Sequence, residues 1–190
     1  KQAMLTFQLS VSIALIAVVM LIFKQLQFVK HHDLGFNQEH LVRIELPYLF
    51  KNQKALKNEV AKLPFVTGSA LSNGYPGHIN LSMGSGVKDD EFTVKCIYVS
   101  EDFINTFGIR LTEGRMFMTG DKDRACMMNE AAIKRYGWNN IEGKKYNNGR
   151  NGGYDVVGVV NNFNVQSLHS GLTPLVLLYE PDREFNTLSL

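Results

Sequence analysis

The hydropathy pattern begins with a long stretch that contains no charged residue. It runs from Gln2 to Phe23, and these 22 residues would span roughly 33 Å as a helix at 1.5 Å per residue. That length matches the ~30 Å hydrocarbon core of a bilayer. The polar residues of the stretch fall in its first half, and Gln8 and Ser12 share one helical face. We therefore predict a membrane helix whose polar face contacts other helices.

Two alternatives for this stretch meet specific objections. A cleaved secretory signal has a shorter apolar core and a small-residue cleavage site, and Lys24–Asp33 offers no such site. A helix buried in a soluble core would carry a polar face, which Val11–Phe23 lacks. The first residue is Lys1, so we expect the chain to be part of a longer protein. The flanking charges do not determine the orientation of the helix.

After about residue 30 the pattern changes to short alternating segments. We predict helices over 52–63, 101–107 and 130–136, and strands over 41–46, 66–71, 91–99, 125–128, 144–146, 154–160, 175–179 and 187–190. A turn at 147–153 joins two of these strands in a hairpin, and the glycine-rich stretch 73–86 is predicted to be a loop. This mixture predicts an α+β domain, a mixed α/β sandwich. We therefore divide the chain into a membrane helix with its extension, residues 1–30, and a domain over residues 31–190.

Local signals assign structural roles to four residues. Gly35 and Gly108 are predicted to end helices. Asn129 is predicted to cap the helix that follows it. Gly158 interrupts a valine-rich strand, where glycine marks a bulge or a close backbone approach.

Three further predictions concern charge pairing, capping and packing. Arg115 lies next to a tight turn and is expected to pair with Glu113 or Glu130. Ser100 is expected to cap the helix over 101–107. Phe163 is expected to anchor the segment that follows the last hairpin.

Composition and charge narrow the classes of function. The chain has 20 Lys and Arg against 18 Asp and Glu, without the clustered basic excess of a nucleic-acid binder. Two cysteines cannot form a disulfide framework and match no zinc spacing. Burial as structural thiols is the default for Cys96 and Cys126, and a disulfide between them stays open for a domain outside the cytoplasm.

The sequence motifs of catalysis and metal binding are absent. The histidines lack the spacing of a zinc site; they are His31, His32, His40, His78 and His169. No glycine run completes a phosphate loop, and no Gly-x-Ser-x-Gly elbow occurs. The acidic runs fit no calcium loop. We therefore expect a non-catalytic chain that binds no metal and no cofactor of its own.

Four stretches of the chain share their order and spacing with a known family. They are FQLSVSIALIAVVMLIFKQLQFV followed by DLGFNQEHLVRIEL, then VSEDFINTFGIRLTEGRMF, MMNEAAIKRYGWNNIEGKKY and YDVVGVVNNFNVQSLHSGLTPLVLLY. Together they cover about Phe7–Tyr179 and resemble FtsX-like/MacB-like ABC transporter permeases. Glu142 stands where many relatives carry a small or apolar residue, and Asn162 stands where aspartate is common.

The resemblance implies structural roles for the residues of these motifs, and it implies no catalytic, cofactor-binding or metal-binding residue. The motif residues are Gly35, Phe36, Gly108, Gly114, Arg115, Asn129, Glu130, Gly143, Lys144, Gly158, Asn162, Phe163 and Pro174.

The resemblance also implies an architecture, partners and a location. The chain resembles one membrane helix from the second half of a duplicated permease, followed by a MacB-like periplasmic core domain, and it stops before the next membrane helix. A cytoplasmic ABC ATPase subunit would bind ATP and Mg²⁺. The other implied partners are a second permease copy or paralogue, the membrane and a periplasmic adaptor protein, with no nucleic acid. The implied location is the bacterial inner membrane, with residues after about 24 extracytoplasmic.

In function, the resemblance implies a domain that couples ATP-driven motion of membrane helices to substrate export or to regulation of a partner. The alternative is a membrane-anchored extracytoplasmic sensor or ligand-binding domain, which would need a pocket with convergent polar groups. A membrane-tethered hydrolase would need a nucleophile and base pair, and the sequence offers none. Further membrane helices in the full gene and a neighbouring ATPase gene would favour the permease.

Overall fold

The structure of the protein is a computed structural model that describes residues 2–31, 34–47, 50–87, 90–147, 152–165 and 171–190. The chain divides into two compact units, residues 1–33 and residues 34–190. Each unit has its own architecture.

The first unit contains one helix, α1 (Gln2–His31). Its side chains from Gln2 to Gln27 are exposed, and among the described residues it alone is long and apolar enough to cross a membrane. Thr6 Oγ1 donates to the Gln2 carbonyl at 3.1 Å, and Ser12 Oγ donates to the Gln8 carbonyl at 3.0 Å. Because these hydroxyls donate within the helix, placing them in an apolar environment would cost less free energy.

The second unit is built around a ten-stranded mixed sheet. Its strands are β1 (Arg43–Glu45), β2 (Ala70–Ser72), β3 (Ser82–Val87), β4 (Asp90–Val99), β5 (Leu111–Gly114), β6 (Ala125–Asn129), β7 (Lys145–Tyr146), β8 (Tyr154–Val160), β9 (Leu175–Tyr179) and β10 (Thr187–Ser189). Its helices are α2 (Gln53–Val60), α3 (Phe103–Thr106) and α4 (Glu130–Tyr136). The order across the sheet is β1-β10-β2-β4-β9-β6-β8-β5, with β3 on β4 and β7 on β8.

Helices cover both faces of this sheet and create two hydrophobic cores. Strand β4 pairs in parallel with β9, and β6 pairs in parallel with β8. Alternate residues of β4 enter different cores: Cys96 packs on the face that α4 covers, and Ile97 packs on the face that α3 covers. Strands β6 and β9 are buried at every position, as expected for strands covered on both faces. The predicted α+β architecture is therefore confirmed.

The local predictions succeed for the elements with the strongest patterns, and one predicted loop is wrong. Helix α4 and strand β9 have the predicted bounds. The stretch 73–86 is not all loop, because Ser82–Val87 forms β3 and pairs along β4. Gly84 and Gly86 occupy its exposed side, while Met83 packs against the core. This glycine-rich stretch is therefore an edge strand whose residues alternate between exposed and partly buried positions.

The predicted capping role of Ser100 is also wrong. Helix α3 begins at Phe103, and Ser100 Oγ accepts the Leu71 N–H at 3.0 Å. This buried hydroxyl supplies an acceptor to the backbone of β2. Its partner lies far away in sequence, so a local capping signal could not identify it.

Candidate functional site

One group of motif residues lies around the first described residues of the second unit, Leu34–Asn37, which we call the leading segment. The Leu34 carbonyl accepts the Asn164 N–H at 2.8 Å, and the Asn37 N–H donates to the Phe107 carbonyl at 2.8 Å. Asn161 Nδ2 donates to the Gly35 carbonyl at 3.0 Å. The leading segment is therefore hydrogen-bonded to two separate parts of the domain, the end of α3 and the segment after β8 (Asn161–Val165).

Gly35 makes this docking sterically feasible. Its φ is +76°, in the left-handed region, and an added Cβ would collide with the Asn162 carbonyl oxygen and lie 2.8 Å from Phe163 Cα. Helix α1 is described as far as His31, and the prediction that Gly35 ends this helix depends on residues 32–33, which lie outside the described residues. Glycine is required at this position because two backbones approach closely.

Phe36 and Gly108 secure the side of the leading segment that faces α3. The Phe36 ring packs edge-on against Phe107, with 6.3 Å between ring centroids. Gly108 ends α3 with φ +59°, and the Ile109 N–H donates back to the Ile104 carbonyl at 2.9 Å. This is the Schellman arrangement that glycine favours. The predicted role of Gly108 as a helix stop is confirmed.

Sequence reasoning missed Asn161, which links three chain segments. Its backbone N–H donates to the Arg110 carbonyl at 2.9 Å, and its Oδ1 accepts the Arg110 N–H at 2.8 Å. Its Nδ2 reaches the leading segment at Gly35. The only available signal was an amide side chain directly after a strand, which is common in loops and therefore carries little information.

Asn162 and Phe163 fix the residues after β8 to the start of α4 and to the hydrophobic core. Asn162 Oδ1 accepts the Ala131 N–H at 2.9 Å, and Nδ2 donates to Glu130 Oε2 at 2.9 Å. Asn162 thus satisfies an unpaired N–H in the first turn of α4. The Phe163 side chain is buried in the core beneath α3. Its predicted role as an anchor agrees with this position.

Asn129 joins the start of α4 to the start of β9. Its Oδ1 accepts the N–H groups of Ala132 and Leu175, both at 2.9 Å, and its Nδ2 donates to the Thr173 carbonyl at 2.9 Å. The residue is only 1% exposed. The predicted cap is confirmed, and the structure adds the two bonds toward β9. The neighbouring Pro174 carbonyl accepts the Lys95 N–H at 2.9 Å, which ties this segment to β4.

A second group of motif residues lies where β5 pairs with β8, and Gly114 is opposite Gly158 there. Gly114 has φ +79°, and its added Cβ would lie 2.9 Å from Gly158 Cα. An added Cβ at Gly158 would lie 2.8 Å from the Arg115 carbonyl oxygen. The register of β8 against β6 shifts between Val156 and Gly158, which marks a bulge. Gly158 therefore combines the two predicted features, a bulge and a close approach.

The predicted partners of Arg115 are wrong. Its guanidinium makes a bidentate pair with Asp121, with N–O distances of 2.5 and 2.8 Å. Asp121 Oδ2 also accepts the Met118 N–H at 2.8 Å. The hydrogen bond from Arg115 lowers the pKa of the Asp121 carboxyl. The pair closes the loop after β5, so the arginine bonds within its own loop and not to Glu113 or Glu130.

Gly143 and Lys144 lie apart from both groups. Gly143 has φ +65° with no atom within 4 Å of its added Cβ. Lys144 Nζ lies 6.0 Å from the centroid of the Trp138 ring. These two residues form a turn before β7.

The two cysteines are free and buried. They lie on β4 and β6, on either side of β9, where Cys96 is opposite Val176 and Cys126 is opposite Leu178. Two strand spacings amount to roughly 10 Å, beyond the ~7 Å limit for the Cα atoms of a disulfide. Burial raises the pKa of the Cys96 thiol to about 11. The fold therefore rules out the disulfide and leaves thiols of low reactivity.

The grooves at the described surface are open to solvent and are lined by both polar and apolar residues. One of about 500 Å³ lies between α4 and β5 and includes Glu113, Glu130 and Trp138. Another of about 290 Å³ lies beside the leading segment and includes His40 and Asp102. Within the described ranges, no three His, Cys, Asp or Glu side chains cluster as metal ligands. The first group of motif residues attaches the leading segment to the end of α3 and to the residues after β8.

Comparison with known proteins gives a likeness in structure only. No family model and no curated protein matches the sequence. The periplasmic region of MacB from Actinobacillus actinomycetemcomitans matches with a TM-score of 0.56 at 15% identity, over 82% of this chain and 75% of that one. The extracellular domain of the noncanonic ABC-type transporter YknZ from Gram-positive bacteria matches with a TM-score of 0.55 at 13% identity, over 79% of this chain and 82% of that one. The domain therefore shares the fold of these two extracytoplasmic domains.

Proposed function

We propose that the chain is a membrane helix and the following extracytoplasmic domain of an ABC transporter permease. In this proposal, residues 1–30 contain the membrane helix and its extension, and residues 31–190 form the domain. The chain is a non-catalytic part of a protein in the bacterial inner membrane, with residues after about 24 outside the cytoplasm. A cytoplasmic ATPase partner binds ATP and Mg²⁺, so the chain needs no cofactor of its own.

One observation carries the coupling role in this proposal. The leading segment is bonded at Leu34, Gly35 and Asn37 to the end of α3 and to the segment after β8. The Gly35 backbone packs closely against the backbone of Asn162 and Phe163. A displacement applied at Leu34 would therefore be transmitted to the end of α3 and to the residues after β8. The apolar, exposed α1 and the shared fold of the MacB and YknZ domains support the same proposal.

The work done by this motion would be export of a substrate or regulation of a partner. A second permease copy or paralogue and a periplasmic adaptor protein are the other partners that we propose. The alternative function, a sensor or ligand-binding domain, would draw on the groove of about 290 Å³ beside the leading segment. Its position would allow a bound molecule to act on the same attachment.

Co-purification of the full-length protein in mild detergent tests the choice between these functions. We expect a nucleotide-binding ATPase in stoichiometric amount when the bound proteins are identified by mass spectrometry. Recovery of a kinase or a response partner without an ATPase would overturn the permease proposal and favour the sensor. A variant that loosens the leading segment then tests coupling, since it should leave ATP hydrolysis intact while the domain stops responding to ATP.

A further inference from the structure

Strand β1 lies at one end of the strand order in the part of the sheet that the structure describes. Val42 and Leu190 exchange a pair of backbone hydrogen bonds of 3.0 and 2.9 Å, and the Leu46 N–H donates to the Asn186 carbonyl at 2.8 Å. The backbone groups of Val42, Ile44 and Leu46 therefore point toward β10 and the residues that flank it. The backbone N–H and C=O groups of Arg43 and Glu45 point away from β10. Among the described strands, none pairs on that side of β1.

The side chains at this edge differ from those that usually protect an edge strand. Val42 is 55% exposed and Ile44 is 36% exposed, so apolar β-branched residues line one face. On the other face, Arg43 lies 4.2 Å from the centroid of the Tyr75 ring and pairs with Glu45 at 3.2 Å. Protective edges carry charges that repel an added strand. Here the two charges are opposite in sign and stand two residues apart.

We propose that β1 pairs antiparallel with β1 of a second copy of the chain, around a twofold axis at Ile44. In that register Arg43 lies opposite the partner's Glu45, and Glu45 lies opposite the partner's Arg43. Both are the residues whose N–H and C=O groups point outward, so each opposed pair exchanges two backbone hydrogen bonds. Ile44 meets the partner's Ile44 at the close, non-hydrogen-bonded position.

Three properties of the edge match in this one register. The free backbone groups pair, opposite charges face each other across the strands, and the exposed apolar face continues across the axis. A shift by one residue would oppose outward and inward backbone groups and lose the bonds. The sequence Arg-Ile-Glu is thus self-complementary in the antiparallel direction, which is what an isologous twofold contact requires.

The contact is small, because β1 has three residues. It falls in the range of weak interfaces, below about 1,200 Å². Two copies held in one membrane by α1 meet at high effective concentration, so a weak contact becomes populated. The inference uses the membrane location in the proposed function, and it does not depend on an ATPase partner.

Cysteine cross-linking of the full chain in native membranes tests the register. At a non-hydrogen-bonded position the two Cα atoms lie about 4.5 Å apart, within reach of a disulfide. We expect Ile44→Cys to form a disulfide-linked dimer under mild oxidation at least tenfold faster than Phe65→Cys. Phe65 is a strict control because it is 77% exposed. The unsubstituted chain controls for the buried Cys96 and Cys126.

Charge reversal separates pairing from mere proximity in the membrane. In the Ile44→Cys chain, Arg43→Glu and Glu45→Arg each place like charges opposite one another, and each should cut the yield of its own dimer several-fold. Mixed together with different tags, the two variants become complementary at both positions, and mixed dimers should form preferentially. Neither variant retains the pair within the strand, so the preference reports the contact between copies.

Two results would overturn the proposal. One is equal cross-linking at Ile44→Cys and Phe65→Cys, and the other is random mixing of the two charge variants. The unfolding temperature of each variant, measured in detergent, shows that folding is retained. Since cross-linking needs no ATPase, its failure would leave the proposed function standing, and absence of an ATPase in co-purification would leave the strand pairing standing.

Discussion

Asn162 Nδ2 donates to Glu130 Oε2 at 2.9 Å while Asn162 Oδ1 accepts the Ala131 N–H at 2.9 Å. An amide is the one side chain of this size that supplies a donor to the carboxylate and an acceptor to the helix. An aspartate at this position would keep the acceptor and lose the donor. Asparagine at position 162 can therefore bond to Glu130 and to the start of α4 at the same time.

Asn162→Asp should destabilise the domain by about 1 kcal/mol at pH 7, since it loses one hydrogen bond and adds a like charge beside Glu130. The unfolding temperature of the detergent-solubilised chain measures this loss. Glu130→Gln in the same chain should recover most of it, because the repulsion disappears. Equal losses in the single and double variants would contradict a direct coupling of the two side chains.

Gly35→Ala should cost far more stability than Gly143→Ala. Both residues have positive φ, so each alanine bears a backbone penalty of about 1–2 kcal/mol. Only Gly35 faces a backbone atom within collision distance, whereas the added Cβ at Gly143 is free. Thermal unfolding measures the difference, and ATP-dependent protease protection of the domain measures coupling in the complex with the ATPase. Equal unfolding temperatures for the two variants would refute close docking at Gly35.

Asn129→Ala should be among the most damaging single substitutions outside the hydrophobic cores. It removes a helix cap and leaves the buried Leu175 N–H without its acceptor, for an expected loss of about 2–4 kcal/mol. Asn129→Asp keeps the acceptor oxygens and loses the donor to the Thr173 carbonyl, and the N-terminus of α4 favours its negative charge, so its loss should be smaller. The order of the two unfolding temperatures checks this account, and the reverse order would contradict it.

The Arg115–Asp121 pair predicts a specific acid sensitivity. The pKa of Asp121 is lowered by the hydrogen bond from Arg115, below the ordinary value of about 3.9. The pair therefore stabilises the fold at neutral pH, and this contribution is lost as the pH falls through the lowered pKa. Asp121→Asn should reduce the drop in unfolding temperature between pH 6 and pH 3. Glu142→Gln, which removes an exposed carboxylate, should not. The same drop in all three proteins would exclude this role for the pair.

Removal of residues 1–30 should leave a soluble domain that unfolds cooperatively, because both hydrophobic cores lie within the second unit. A chain that begins at Leu41 should have a lower unfolding temperature than one that begins at His31. The shorter chain loses the leading segment and its bonds to the domain. Calorimetry of the two truncated chains provides the comparison. A non-cooperative transition in the longer chain would refute an independent domain.

The sequence by itself determined the features that depend on neighbouring residues. The uncharged run identified α1, and the continuous apolar run Leu175–Tyr179 identified β9. The end of α3 at Gly108 and the cap at Asn129 were readable because their partners include residues within a few positions. Such signals survive in any tertiary arrangement, since one turn of helix or one strand contains them.

The tertiary structure alone decided the features whose partners lie far along the chain. The strand order places β9 between the two cysteine-bearing strands and so separates Cys96 from Cys126. It also brings Asn161 to Gly35, across 126 positions of sequence. The glycines of β3 give this stretch a low strand propensity, so the sequence predicted a loop. Pairing with β4 stabilises the strand in spite of that propensity. Long-range backbone pairing chooses these neighbours, and no local pattern of residue types records that choice.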